Sequence, residues 1–294
     1  MKKILAIALL LSMSFGIQAQ LLWKVSGNGL SQPSYIMGTH HLSPLSIKDS
    51  IAGMKQALAD TKQVYGELTM SEVQTQATMQ TMQKFMVTTS DTTFQSLFSP
   101  QEYEMINKYS KENLMFDVAM MPKLKPAFLS NNLIVILYMK HVGGFNPQEQ
   151  LDTFFQTQAL AAGKKVGGLE TPEFQFGMLY NGASLKRQAQ QLLCMLKDVD
   201  KNIDQLKKMT AYYNAQNLDA LLALMQERQG DQCDPLPGEL EAMLDNRNVD
   251  WSKKLPAIMK EAPTFIAVGA GHLPGEKGLL NLMKKQGYTV EPVK

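Results

Sequence analysis

Apolar positions follow two rhythms along this chain. The ends carry short continuous apolar runs, and the middle carries repeats every three to four residues. Residues 21–25 and 35–37 predict two strands, with a turn between them rich in Gly, Ser, Asn and Pro. Ile47, Ile51, Met54, Ala57 and Leu58 recur at helical spacing behind Ser46, a suitable N-cap. Residues 63–68 read as a strand that ends at a carboxylate, Glu67. Strand, loop, helix and strand in that order form a βαβ-like unit, which favours a parallel pair. Residues 71–162 are predominantly helical. Ser99 precedes Pro100 at a helix start, and residues 133–139 form an apolar run far too short to span a bilayer. A helix over 151–162 stops at Gly163, and the strand over 165–170 again ends at a glutamate, Glu170. Thr171 and Pro172 then suit the cap and first position of a helix. Helices over 184–229 and 239–262 are separated by a Pro- and Gly-rich break at 234–238. A strand at 264–268, a loop holding His272, a helix at 276–285 and a strand at 288–290 complete the chain. The expectation is an α/β fold: a single domain over residues 20–294, its central sheet built from both chain ends around a long helical middle insertion.

Composition narrows the setting. A chain 45% hydrophobic and 19% charged has enough apolar material for an ordinary globular core. Residues 1–19 read as a signal peptide. Lys2 and Lys3 are basic, residues 4–11 are apolar, and Ile17-Gln18-Ala19 approximates a cleavage site. Without Lys2 and Lys3 the Lys and Arg count is 29 − 2 = 27, equal to the 27 Asp and Glu. That balance offers no general attraction to nucleic acid or an anionic membrane. No cysteine follows the cleavage site, so nothing marks a lipoprotein. The expected location is the periplasm or the exterior, with no transmembrane segment. Cys194 and Cys233 permit one disulfide in such a compartment, closing a loop of about 40 residues; two buried thiols are the alternative.

The chemistry gathers at two similar passages. Gly38-Thr39-His40-His41-Leu42 and Gly269-Ala270-Gly271-His272-Leu273 each follow an apolar run. A glycine there permits positive φ or close backbone approach, and the histidine is presented where the strand ends. His41, Glu67, Glu170 and His272 all leave the C-terminal ends of predicted strands, the edge where open α/β sheets bind ligands. Two imidazoles and a carboxylate suit a divalent ion such as Zn²⁺ or Mn²⁺, which would activate water. A second carboxylate would move its proton, and Arg247 would stabilise an oxyanion. Blander readings stand beside these: histidines as polar turn residues, glutamates as helix caps, Arg247 as a salt-bridge residue. His40, next to His41 on an extended backbone, points elsewhere and reads as a supporting or solvent residue. His141 reads as a helix C-terminal histidine. The abundant methionines, five of them at positions 79, 82, 86, 120 and 121, read as core filler.

Taken jointly, Leu22-Trp23-Lys24-Val25, Pro33-Ser34-Tyr35, Gly38-Thr39-His40-His41-Leu42, Tyr65-Gly66-Glu67-Leu68, Leu151-Asp152, Gly168-Leu169-Glu170-Thr171, Arg247-Asn248-x-x-Trp251 and Gly269-Ala270-Gly271-His272-Leu273 resemble the TraB/GumN family. The animal TIKI metalloproteases are similar, and the wider group resembles the erythromycin-esterase/ChaN-like superfamily. The resemblance spans nearly all of residues 20–294. It implies an exported metal-dependent hydrolase, a peptidase acting on peptide or protein. Its two Gly-x-x-His motifs fall on Gly38/His41 and Gly269/His272, and its strand-end glutamate on Glu67. These would hold a divalent ion (Mn, Co or Zn), with Glu170 and Arg247 as catalytic candidates. Histidine at position 40 and Tyr65-Gly66 before Glu67 depart from the family's usual apolar residues. The resemblance also admits a peptide-sequestering protein without catalysis, or a haem- or iron-related binder.

Overall fold

A computed structural model describes residues 20–294. The proposed signal peptide, residues 1–19, lies outside the described residues. Six strands form one sheet in the order β4-β3-β5-β2-β1-β6. They are β1 (Leu22–Ser26), β2 (Ser34–Thr39), β3 (Gln63–Gly66), β4 (Lys165–Gly168), β5 (Thr264–Gly269) and β6 (Thr289–Pro292). The last two thus come from beyond residue 263, and both chain ends meet in the sheet as the apolar runs predict. β5 pairs in parallel with β2 on one side and β3 on the other, and β3 pairs in parallel with β4. The βαβ expectation for β2 and β3 is therefore met in direction only: β5 lies between them. Sequence order could not reveal a strand inserted from 200 residues downstream. β1 runs antiparallel to both β2 and β6.

Helices α1 (Met54–Asp60), α2 (Met70–Val73), α3 (Gln76–Met86), α4 (Pro100–Leu114), α5 (Pro126–His141), α6 (Leu151–Ala161), α7 (Pro172–Asn181), α8 (Leu185–Lys197), α9 (Val199–Asn214), α10 (Leu218–Gln226), α11 (Asn246–Glu261) and α12 (Leu279–Lys285) complete the fold. Several starts have the predicted chemistry. Ser99 and Glu102 form a reciprocal capping box on α4, and Thr171 caps α7 with Pro172 at its first position. The helix expected behind Ser46 is instead a 3₁₀ segment, Leu45–Ser50, followed by α1. Gly53, at φ +69°, breaks it, and Ser46 caps nothing.

The main core lies on the sheet, where Leu22, Ile36, Phe265, Ile266 and Val268 are fully buried against Phe155, Trp251 and Leu255. A smaller core, built on Phe94, Ile106, Leu129, Leu133 and Leu192, holds the middle helices together. There methionine is not simply filler: Met115 and Met120 are exposed. Cys194 on α8 is disulfide-bonded to Cys233, Cα to Cα 5.7 Å. Among the described residues, no helix is long and apolar enough to cross a membrane.

Candidate functional site

Register assembles the site. Gly38 lies beside Val268, and Gly66 is flanked by Ala267 and Gly168. The four strands β2, β5, β3 and β4 consequently end level, and the residues just past them share one edge. Those residues include His41, His272, Glu67 and Glu170. The glycines serve close approach, not positive φ, since neither Gly269 nor Gly271 has a left-handed backbone. A Cβ on Gly38 would stand 3.1 Å from the Ala270 backbone, and one on Gly269 would stand 3.3 Å from the Glu67 carboxylate.

Two imidazoles are each held at Nδ1. The Asp152 carboxylate, at the start of α6, lies 3.0 Å from Nδ1 of His41. Its other oxygen accepts from the Thr39 hydroxyl at 3.0 Å, so Asp152 is fixed from both sides. Beside this carboxylate the His41 imidazole is pushed up to about 9, with burial opposing. The His41 side chain is nonetheless 64% exposed, so it opens onto solvent. On the far side, Nδ1 of His272 meets the Asn248 amide oxygen at 2.8 Å. Burial, with Arg247 and His41 nearby, holds His272 down at about 4 against the pull of Glu67.

Against His272 sits Arg247, buried and fully engaged. Nε donates to Glu170 at 2.8 Å. Nη2 donates to Glu67 at 2.6 Å and to Glu170 at 2.9 Å. Nη1 donates to the Met243 carbonyl at 3.1 Å and to Nε2 of His272 at 3.0 Å. A guanidinium has five N–H donors, and all five are used. Met243 belongs to a π turn, Glu241–Asp245, that leads into α11, a feature often found at functional sites. Trp251, one helical turn beyond Arg247, underlies the cluster. Its ring lies 4.7 Å from the guanidinium and 4.4 Å from the His272 ring, and its indole N–H donates to Glu170 at 3.0 Å.

The carboxylates differ in freedom. Glu170, 4% exposed, accepts from Arg247, Trp251 and Gln175 and has no oxygen to spare. Glu67 accepts from the Gly269 N–H, Gln175 and Arg247, while its Oε1 stands 3.7 Å from Nε2 of His272. Burial opposes its ionisation, yet His272, Arg247, His41 and the Gly269 N–H together hold it at about 2.

Of the five predicted residues, Arg247, Glu67, Glu170 and His272 form one contact network, while His41 stands on the same sheet edge with Asp152 as its side-chain partner. Asp152, Gln175, Asn248 and Trp251 complete the network; Asp152, Asn248 and Trp251 fall within the quoted motifs, but only tertiary contacts give them roles. His40 is not a solvent residue. It packs between Tyr138 and Tyr213, with Nδ1 buried and unpartnered. His141 ends α5, exposed and away from the cluster.

An ion needs lone pairs aimed at one point. Among the described residues no group of three or more His, Cys, Asp or Glu stands at metal-holding spacing. The donor chemistry still fits: Asp152 and Asn248 orient the imidazoles from behind, as outer partners of metal-bound histidines do, and Glu67 adds an oxygen. Neither a curated protein nor a solved structure matches this chain. The TraB/PrgY/gumN family model matches residues 21–292, nearly the whole described chain, and the protein belongs to that family.

Proposed function

We propose that this protein is an exported, divalent-cation-dependent hydrolase that cleaves peptide bonds. One observation supports the reading: both motif histidines are held at Nδ1, which leaves each Nε2 as the working atom, with a Glu67 oxygen 3.7 Å from that of His272. His41 Nε2, His272 Nε2 and a Glu67 oxygen would hold Mn²⁺, Co²⁺ or Zn²⁺. Such an ion supplies Lewis acidity, acidifying water and polarising a carbonyl. At neutral pH His41 carries a proton that must leave before its Nε2 can act as a ligand. Glu170 would receive the proton from the attacking water, and Arg247 would donate to the developing oxyanion. Both roles require Arg247 to let go of present partners, because neither residue has a free hydrogen-bonding site. A cleft of about 270 Å³ behind His272, reached past Asn248 and Gly271 and lined by Met225 and Leu244 together with Arg228, Glu241 and Asp245, would receive a side chain of the peptide. The saturated guanidinium also favours a second reading, a protein that sequesters peptides without cutting them.

The test is a mixed peptide library presented to chelated protein and then to protein restored with Mn²⁺, Co²⁺ or Zn²⁺, read by mass spectrometry. Ion-dependent cleavage lost in His41→Ala and His272→Ala is expected. Peptides that bind intact under every condition, equally well to His41→Ala, would leave sequestration standing instead.

A further inference from the structure

We infer that Arg247 is the built-in occupant of the cation site, so that its guanidinium in its present seat and a divalent ion exclude one another, and the ion is held only as Arg247 moves aside. The inference rests on the cation-dependent reading above. It starts from the tautomer of His272. Arginine only donates, so the ring nitrogen 3.0 Å from Nη1 must present a lone pair. That nitrogen is Nε2, and the ring proton is therefore on Nδ1. The Asn248 side chain agrees independently. Its amide nitrogen donates to the Lys277 carbonyl at 3.0 Å, which leaves its oxygen to accept from Nδ1–H. Nε2 has one lone pair, and a coordinated ion would sit about 2.0–2.1 Å along the same direction that Nη1 now occupies at longer range. Both cannot have it.

The carboxylates give the same answer. Nη2 binds Glu67 and Glu170 together, at 2.6 and 2.9 Å. The guanidinium thus offsets one of the two negative charges that would attract a divalent ion. An ion entering beside it would meet a like charge at close range in a buried site, where such repulsion is poorly screened. Removing Arg247 would leave a lone pair of His272 and oxygens of Glu67 and Glu170 around the volume the guanidinium fills, donors of the kind divalent metals take. Arg247 moving aside would free Nε2 of His272 and an oxygen of each glutamate at once.

The experiment measures binding, not turnover. Chelator-treated protein is titrated with Mn²⁺ by calorimetry and with Co²⁺ by visible absorption. The forms compared are wild type, Arg247→Met, and Arg247→Met with Glu170→Gln, which removes one charge of each sign and leaves one carboxylate, Glu67, without its guanidinium instead of two. Circular dichroism identifies the folded forms. Arg247→Lys is the further variant, since an ammonium keeps the charge but cannot span His272 and both glutamates. We expect the folded methionine variant or the double variant to bind about tenfold tighter than wild type or better. His272→Ala on that background should abolish the gain, and Arg247→Lys should fall between. If wild type binds an ion and the variants bind it no tighter, the exclusion is overturned while the hydrolase reading stands. If no form binds either ion, the cation-dependent reading falls and this inference falls with it.

Discussion

Asn248 and Glu170 show how little freedom the cluster leaves to single side chains. Asn248→Ala removes the acceptor for Nδ1–H, and long-range ¹H–¹⁵N spectra should then show His272 leaving its single tautomer; Asn248→Asp should keep it. Ion-dependent turnover should fall about 10- to 100-fold in the alanine variant, the usual scale for an outer partner of a ligand. Unchanged spectra would remove the role given to Asn248. Glu170→Gln places an amide N–H against the Arg247, Trp251 or Gln175 donors. Breaking a buried pair on one side typically costs about 3–5 kcal/mol, measurable by urea unfolding. A loss below about 1 kcal/mol would mean the clamp on Arg247 is not structural.

Elements position these residues through a few strong attachments, one of which is the loop between α10 and α11. Arg187 on α8 is 6% exposed and forms a paired contact with Glu239 at 2.9 and 3.0 Å. It also donates to the carbonyls of Gln232 and Asp234. Hydrogen bonding to Arg187 holds the Glu239 carboxylate below its usual 4.5, with partial burial opposing. A depressed carboxylate contributes stability that is complete above its unfolded value and is lost as pH falls through its folded value. The melting temperature should thus fall on acidification below about pH 4.5, and Glu239→Gln should fall less over that range. Equal acid sensitivity in both would remove Glu239 from the account. The elements themselves were largely legible in the sequence, because period and punctuation are local: Ser99-Pro100 and Thr171-Pro172 start helices as read. The His41, Glu67 and His272 edge was legible too, since apolar runs ending in Gly-x-x-His or glutamate mark strand ends. Three things were not. The seat of β5 between β2 and β3 depends on residues 200 positions apart. The Arg247 contacts depend on where α11 packs. The tyrosine setting of His40 depends on α5 and α9, which no local pattern links to β2.

For the whole molecule, the disulfide is compatible with the proposed export, and the two are tested separately. The Cys194–Cys233 bond closes the chain over 39 positions and ties α8 to the same loop that Arg187 holds. Loops of that size contribute roughly 3–4 kcal/mol in the chain-entropy account. Native protein should show no titratable thiol and reduced protein two, with a lower melting temperature. The intact mass of exported protein should begin at Gln20 and be two hydrogens lighter than after reduction. Thiols reactive without reductant would contradict the bond, and a retained residue 1 would contradict the cleavage.

The placement of β5 also governs when the protein comes into being. Its pairings hold together two ribbons, β1–β2 with β6 and β3–β4, that otherwise share no strand contact. A chain released only as far as residue 263 has no central strand, no His272 and no closed sheet. Contacts so distant in sequence form late and slowly. The sheet therefore stays open until residues 264 onward have emerged, whatever the middle helices have already packed. The same delay separates synthesis from competence: the site is complete only once the segment that carries β5 and His272 has joined the sheet.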